Sequence, residues 1–328
     1  MLLGIFLLAL LAAAGVGWLV LAPYGPESET WVEIAPGSST ALIGRQLEAA
    51  GVVRSQFVFD LLRYLKRGTL RAGEYRFDHP ASATEVYARI ARGDVFTKAL
   101  TIPEGANIFE IAARIEQAGF GTRQEFLVAA AERTGLVADL DPGAKSLEGY
   151  LFPDTYRFAR KTTPAQIAAA MVRRFRAIAG QLGLKENVHQ TVTIASLVER
   201  ETAVDSERPL IASVFVNRLA KKMPLMTDPA VIYGLELEGR WRGTLDKSDL
   251  ARNTAYNTYL HNGLPPGPVA NPGVRSLRAA MAPAQTGYFY FVAAGADAQG
   301  HSLFSTTLDE QDRNVAAYRR ALKKAGER

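Results

Sequence analysis

The 328-residue chain has no cysteine, so neither a disulfide framework nor a thiolate zinc site can hold it together. Histidine is scarce: His79, His189, His261 and His301 stand far apart, with no HExxH and no other close pairing. That spacing argues against a histidine-based metal centre. Charged side chains are missing from the N-terminus up to Glu27. The net charge of +5 arises from 38 Lys and Arg against 33 Asp and Glu dispersed along the chain. Such a balance suits contact with an anionic polymer or a membrane surface and predicts no nucleic-acid partner.

What is present begins with an apolar run. Met1 to Ala22 reads MLLGIFLLALLAAAGVGWLVLA, and as a helix it would span about 33 Å, enough for a hydrocarbon core. A cleaved secretory signal is the alternative, since LAAAG offers small residues. The run nevertheless continues through Trp18-Leu19-Val20-Leu21, past the usual signal core of about 7 to 15 residues. An uncleaved transmembrane anchor over 1–22 is therefore expected. With no nearby Lys or Arg on either side, charge does not orient it. A polar stretch over 23–30 reads as a linker.

Apolar residues make up 48% of the chain, enough for a substantial core beyond the anchor. A strand at Trp31–Ile34 leads through Pro36-Gly37 into a helix capped by Ser38, Ser39 or Thr40 and stopped by Gly51. The same unit returns sixty-eight residues later: Ile34, Gly37, Ile43, Glu48, Ala50, Gly51 and Gln56 align without a gap on Ile102, Gly105, Ile111, Glu116, Ala118, Gly119 and Gln124. Two copies are too few for a solenoid and suggest a pair of small α/β modules, 31–98 and 99–145. Between the helices of the two copies, a strand at Glu74–Phe77 and a helix from Ser82 or Thr84 to Gly93 are expected. From 146 onward helices are expected from Pro164 to Ile178, Val192 to about Ala203, Arg208 to Ala220 and from about Asp309. YFYFVAAG (288–295) and HSLFSTT (301–307) alternate like a hairpin pair. Helices and antiparallel strands in separate runs indicate an α+β fold.

IASLVERET (194–202) places Glu199 and Glu201 one residue apart in an apolar helical segment. At about 100° per residue, Glu201 falls on the stripe of Ile194, Leu197 and Val198, and Glu199 lies roughly 160° away. The wheel thus predicts a buried Glu201 and an exposed Glu199. A carboxyl among apolar neighbours gains pKa and can hold a proton to donate. A structural ion pair with Arg200, Arg208 or another helix explains a buried glutamate equally well.

Four segments carry a resemblance: EGYLFPDTY (148–156), IASLVERETAVDSERPLIASVFVNRL (194–219), TDPAVIYGL (227–235) and TAYNTYLHNGLPPGPVANPGVRSLRAAMAPA (254–284). Together they resemble the endolytic murein transglycosylase, or YceG-like, family over nearly everything after the apolar run. AGEYRF, IPEG, YFYFVAAG and GHSLF fit as well. The resemblance implies a single-pass protein of the cell inner membrane with a LysM-like α/β module over 31–98 and a periplasmic catalytic domain over 146–328. It implies cleavage within nascent peptidoglycan strands at the MurNAc–GlcNAc β-1,4 bond without water, beside peptidoglycan synthases as candidate partners, and with no cofactor. Glu201 matches the family's essential acid, acting first as acid and then as base.

Supporting roles carried by the resemblance are weaker. Asn257 and Tyr259 bind sugar or steady charge at the anomeric carbon, or else fix their loop. Thr227 and Asp228 contact substrate or start a helix, Glu148 lines the cleft or caps a turn, and Glu199 joins the substrate-binding set. The sequence departs from the family at Met226, where glutamine is expected, and at Gln311, where histidine is common. Two other functions fit parts of the chain: a lysozyme-like hydrolase using Asp228 as second carboxylate, and a non-catalytic membrane-anchored scaffold that binds peptidoglycan.

Overall fold

The computed structural model describes residues 2–295 and 300–326. Met1 of the expected anchor, the tip of the expected hairpin at 296–299 and the last two residues lie outside them. The fold is mixed α+β and mostly helical, with three small two-stranded sheets among the described residues. It divides into two compact units. One runs to Lys98 and takes in Arg157–Arg160; the other covers Ala99–Tyr156 and the described chain from Lys161 on.

The first unit opens with α1 (Leu2–Leu21), apolar throughout. Its 20 residues give about 30 Å of helix, the thickness of a hydrocarbon core. There follow β1 (Thr30–Ile34), α2 (Thr40–Ala49), α3 (Gln56–Lys66), β2 (Gly73–Phe77) and α4 (Ala83–Arg92). β1 and β2 pair antiparallel, with Val32 opposite Tyr75. Val32, Ile34, Leu47, Phe59, Tyr75 and Ile90 form a buried core, against which Leu19 and Val20 from the last turn of α1 also pack. Ser82 caps α4 in a reciprocal box with Glu85, and left-handed Gly93 ends it, as the sequence signals require.

The second unit includes most of β3 (Lys98–Thr101), then α5 (Ile108–Gln117), α6 (Arg123–Glu132), a 3₁₀ turn at Thr134–Leu136, the first two residues of β4 (Thr155–Phe158) and α7 (Pro164–Leu182). Next come α8 (Val188–Glu201), α9 (Arg208–Ala220), α10 (Asp228–Leu237), the single turn α11 (Lys247–Leu250) and α12 (Val274–Met281). β5 (Tyr290–Ala293) pairs antiparallel with β6 (Ser302–Ser305), ahead of α13 (Leu308–Gly326). The repeated residues serve the same local purpose in each copy. Gly51 and Gly119 take left-handed φ values of 67° and 71° after their helices, which only glycine adopts without strain. Glu48 and Glu116 each accept a hydrogen bond from the first backbone N–H of the next helix, Gln56 at 3.2 Å and Arg123 at 3.3 Å, where the helix dipole favours an anion.

Several helices differ from the sequence reading: α7 runs on to Leu182, past the expected Ile178, and α11 is an unexpected single turn. α8 starts at Val188, ahead of the expected Val192, because the polar His189-Gln190-Thr191 stretch hides its first turn. α12 follows the GLPPGP segment, in a stretch where no helix is expected from the sequence. Its short amphipathic run, VRSLRAAM, carries no capping side chain at Gly273, so the start signal is absent.

α8 occupies the centre of the second unit. α9, α10 and α12 all pack on it, and every residue from Val192 to Val198 is buried. Gly149 closes against this helix: at φ +86°, a Cβ there would meet Pro268 Cγ at 2.5 Å and Val192 Cγ1 at 2.7 Å. Gly183, which caps α7 at φ +72°, has open space around it. Gly183→Ala is therefore expected to cost about 1 kcal/mol of left-handed strain, and Gly149→Ala about 3 kcal/mol or more once overpacking is added. Urea denaturation that found equal losses would contradict this placement of Gly149.

Candidate active site

The last turn of α8 and the first turn of α10 border a cleft of about 780 Å³. Glu201, Thr202, Asp228, Pro229 and Ile232 form one part of its lining, and Glu104, Glu199, Asp205, Arg208 and Arg275 form another. α8 ends here because Thr202 is extended, at φ −144° and ψ 141°, so Glu201 is the final helical residue.

Glu201 has its pKa raised to about 7, chiefly by burial and then by the negative charge of Asp228, with Arg218 pulling the other way. Arg218 cannot swing across to neutralise it. Its guanidinium donates to the Phe289 carbonyl at 2.6 Å and the Leu225 carbonyl at 2.7 Å, and lies over the Tyr290 ring. The result is a carboxyl that keeps its proton near neutrality while open to a cleft, as a general acid must.

Glu199 departs from the wheel. It is buried, not exposed: α12 covers the side of α8 that a free helix would present to water. Its carboxylate pairs with Arg208 at 2.8 Å, both side chains being about 5% exposed, and accepts the Gly273 N–H at 2.8 Å. The structural ion pair that the sequence left open thus belongs to Glu199. Arg208 extends the network to Asp205 at 3.2 Å and Ser276 Oγ at 2.6 Å, and Arg275 pairs with Asp205 from the exposed side. Glu104 stands against Gly273, where any Cβ would collide with its carboxylate. Burial, and then the charge of Glu199, raise its pKa.

The remaining candidates fall into two groups. Thr227 caps α10, its side chain accepting from the Ala230 N–H, and Asp228 is the first residue of that helix. Tyr259 donates to Asp228 at 2.6 Å, so Asp228 and Tyr259 are within electrostatic reach of Glu201, with Thr227 buried in the cap of α10. Thr258 hydrogen-bonds the Thr227 N–H at 2.9 Å, tying the YNTY loop to the start of α10. Asn257 is completely buried. Its amide donates to the carbonyls of Leu250 and Arg252 and accepts from the Tyr259 N–H, all within its own loop.

Glu148 lies apart from the cleft lining. It is buried, accepts from the Ile108 N–H at 2.9 Å and from Asn271 Nδ2 at 2.6 Å, and burial pushes its pKa to about 8. Asn271 in turn accepts from the Leu151 N–H and exchanges backbone hydrogen bonds with Gly105 and Ala106. The EGYL, IPEG and NPG segments are thereby joined through one buried asparagine. Sequence reasoning assigned no site role to Glu104, Arg218 or Arg275. IPEG was the available signal for Glu104, whereas the two arginines sit in ordinary helical contexts that give none. No group of three or more His, Cys, Asp or Glu suited to a metal occurs among the described residues.

A glutamate whose pKa is raised toward neutrality at the edge of a polar cleft is the arrangement of an acid–base catalyst. Residues 32–317 match the YceG-like family, and the chain belongs to that family. It is 32% identical to an endolytic murein transglycosylase of Bacillus subtilis over 92% of this chain and 89% of the relative. It is 31% identical to an endolytic murein transglycosylase of Streptococcus pneumoniae, covering 95% of this chain but 63% of that longer protein. Among solved structures it is similar to a yceG-like protein from Listeria monocytogenes, with 31% identity and a TM-score of 0.57 over 88% of this chain and 99% of that one.

The Glu199–Arg208 pair gives a direct stability test. Arg208→Ala leaves a buried carboxylate without its partner and is expected to cost about 3 to 5 kcal/mol. Arg275→Ala removes only an exposed partner of Asp205 and should cost less than about 1 kcal/mol. Denaturation midpoints in which Arg275→Ala proved the more damaging would refute this division.

Proposed function

We infer that the chain is an endolytic murein transglycosylase, a lyase that cuts peptidoglycan glycan strands internally. The family membership and the relatives' activity support this, and the observation that carries the mechanism is Glu201: a carboxyl held protonated by burial and by Asp228 in a cleft.

In the proposed reaction, Glu201 gives its proton to the oxygen bridging MurNAc C1 and GlcNAc C4, and that C–O bond breaks to leave a GlcNAc hydroxyl. The MurNAc C6 oxygen then attacks C1, and the Glu201 carboxylate takes the C6 hydroxyl proton. A 1,6-anhydroMurNAc end forms, Glu201 regains its proton, and no water is consumed. Asp228 holds the acid's pKa up and is itself oriented by the Tyr259 hydroxyl. Thr227 and Asn257 position these two residues through the helix cap and the loop. Glu199 and Glu148 act through the backbone segments they fasten, Gly273 and the start of α5.

α1 is proposed as a single-pass anchor in the cell inner membrane, with the rest of the chain in the periplasm beside peptidoglycan synthases; its length and composition support this. The β1–α2–α3–β2 order supports a LysM-like module over 31–98, with a second α/β module over 99–145 and the catalytic domain over 146–328.

Glu201→Gln is expected to lower strand cleavage by about a thousandfold or more while leaving the urea midpoint near that of the wild type. Mass analysis of released muropeptides should find anhydro ends with the unsubstituted chain; reducing MurNAc ends would instead establish a hydrolase, no released product a non-catalytic scaffold, and unchanged turnover in Glu201→Gln would remove Glu201 as the acid. The acid must be protonated to act, so activity should fall as pH rises through about 7. Asp228→Asn removes a negative charge that favours the protonated form. The Glu201 pKa then drops, and the alkaline limb of the kcat/KM profile should move to lower pH; a limb that stayed in place or moved up would contradict the role given to Asp228.

A further inference from the structure

One side of α3 is left uncovered by the fold. Phe57, Leu61, Tyr64 and Leu65 are 74%, 38%, 72% and 65% exposed. At about 100° per residue they fall within a stripe roughly 100° wide, which borders the face of Val58, Leu62 and Phe59 that enters the core. Isolated exposed apolar residues are ordinary, but a continuous helical stripe marks an interaction surface. The helix carries Arg63 and Lys66 in its last turn, with Arg67 and Arg71 just beyond, against the single acid Asp60. Arg63 and Lys66 lie about 150° round the helix from the middle of the stripe, so they do not border it; with Arg67 they make this end of α3 basic, and a basic helix end beside an apolar stripe suits a layer of anionic headgroups over acyl chains.

The position of α1 identifies the occupant. α1 packs on both α3 and α4, and Leu19 and Val20 from its last turn join the module's core. Arg54, just before the Ser55 cap of α3, places its guanidinium 4.3 Å from the Trp18 ring centroid and 4.7 Å from that of Tyr24. It also donates to the Pro23 carbonyl at 3.1 Å. The end of the apolar helix is thus built into the module, with no free tether between them. Trp and Tyr favour the membrane–water boundary, and α1 is just long enough to bring Trp18 and Tyr24 there. α3, fastened to the same turn, is held close to that boundary.

We propose that α3 docks on an anionic lipid surface, its Phe57–Leu61–Tyr64–Leu65 stripe entering the interface and the basic end of the helix adding long-range attraction to lipid phosphates. This rests on the reading of α1 as a membrane anchor. Docking fixes the orientation of the first module on the bilayer instead of leaving it free to rotate about the helix.

The absence of native cysteine makes single-site spin labelling direct. The full chain is reconstituted in bilayers of phosphatidylethanolamine with phosphatidylglycerol, labelled at Tyr64→Cys or Leu65→Cys on the stripe. Leu11→Cys in α1 serves as the bilayer reference and Arg45→Cys, exposed on α2, as the aqueous one. Collision rates with oxygen, which concentrates in lipid, are compared with those of a water-soluble nickel chelate. The stripe labels should give an oxygen-to-nickel ratio several-fold above that of Arg45→Cys, falling when phosphatidylcholine replaces the anionic lipid. Ratios equal to Arg45→Cys with a lipid-like Leu11→Cys would overturn the docking while sparing the anchor. An aqueous Leu11→Cys would overturn the anchor and the docking together. Dipolar broadening between stripe labels would assign the surface to a second copy of the chain, and a ratio indifferent to lipid charge would remove the role of the basic residues.

Discussion

Enclosure of the middle of α8, Val192 to Val198, is the constraint from which the site follows. α9, α10 and α12 close around the helix, and its polar residues must find partners or stay neutral. Glu199 meets the first condition through Arg208 and the Gly273 N–H. Glu201 meets the second: Arg218, fastened to the carbonyls of Phe289 and Leu225, attracts it without reaching it, and Asp228 opposes its ionisation. Two glutamates one residue apart are thereby driven to different ends, one fixing α12 in place and the other retaining a proton at the cleft.

The conspicuous segments outside α8 work as fasteners of that enclosure. Asn257 shapes its loop, Thr258 ties the loop to Thr227, and Tyr259 reaches Asp228, so YNTY sets the geometry of the first turn of α10. Asn271 and Glu148 gather EGYL, IPEG and NPG around the start of α5. A buried, fully satisfied polar network of this kind holds one arrangement rigidly, because each unmade bond would leave a desolvated group unpaired. Rigidity matters to a single residue serving as acid and then base, since both oxygens involved must be met from one position.

Much of this was legible in the sequence, for identifiable reasons. Caps such as Ser82, left-handed glycines such as Gly93, and the alternation of YFYFVAAG are local signals, and the elements they mark formed close to where they were expected. The wheel correctly grouped Glu201 with Ile194, Leu197 and Val198. It failed for Glu199 because a wheel assumes one face packed and the other wet, whereas a second helix, α12, whose start carries no capping side chain, packs on the side of α8 that bears Glu199. Glu104 and Arg275 escaped notice because their importance comes from a tertiary neighbour, Gly273 for one and Asp205 for the other. Asn257 drew attention through the family's motif, yet its buried amide serves its own loop, a distinction that only coordinates can make.

Retention of a proton by Glu201 is the claim on which the catalytic account turns, and its carboxyl can be observed directly. In the full chain carrying [13Cδ]glutamate, the Glu201 resonance, assigned by its loss in Glu201→Gln, should titrate with a midpoint near 7. A midpoint near the ordinary glutamate value of about 4.3 would mean that the group is ionised at neutral pH, and the acid step could not proceed as described.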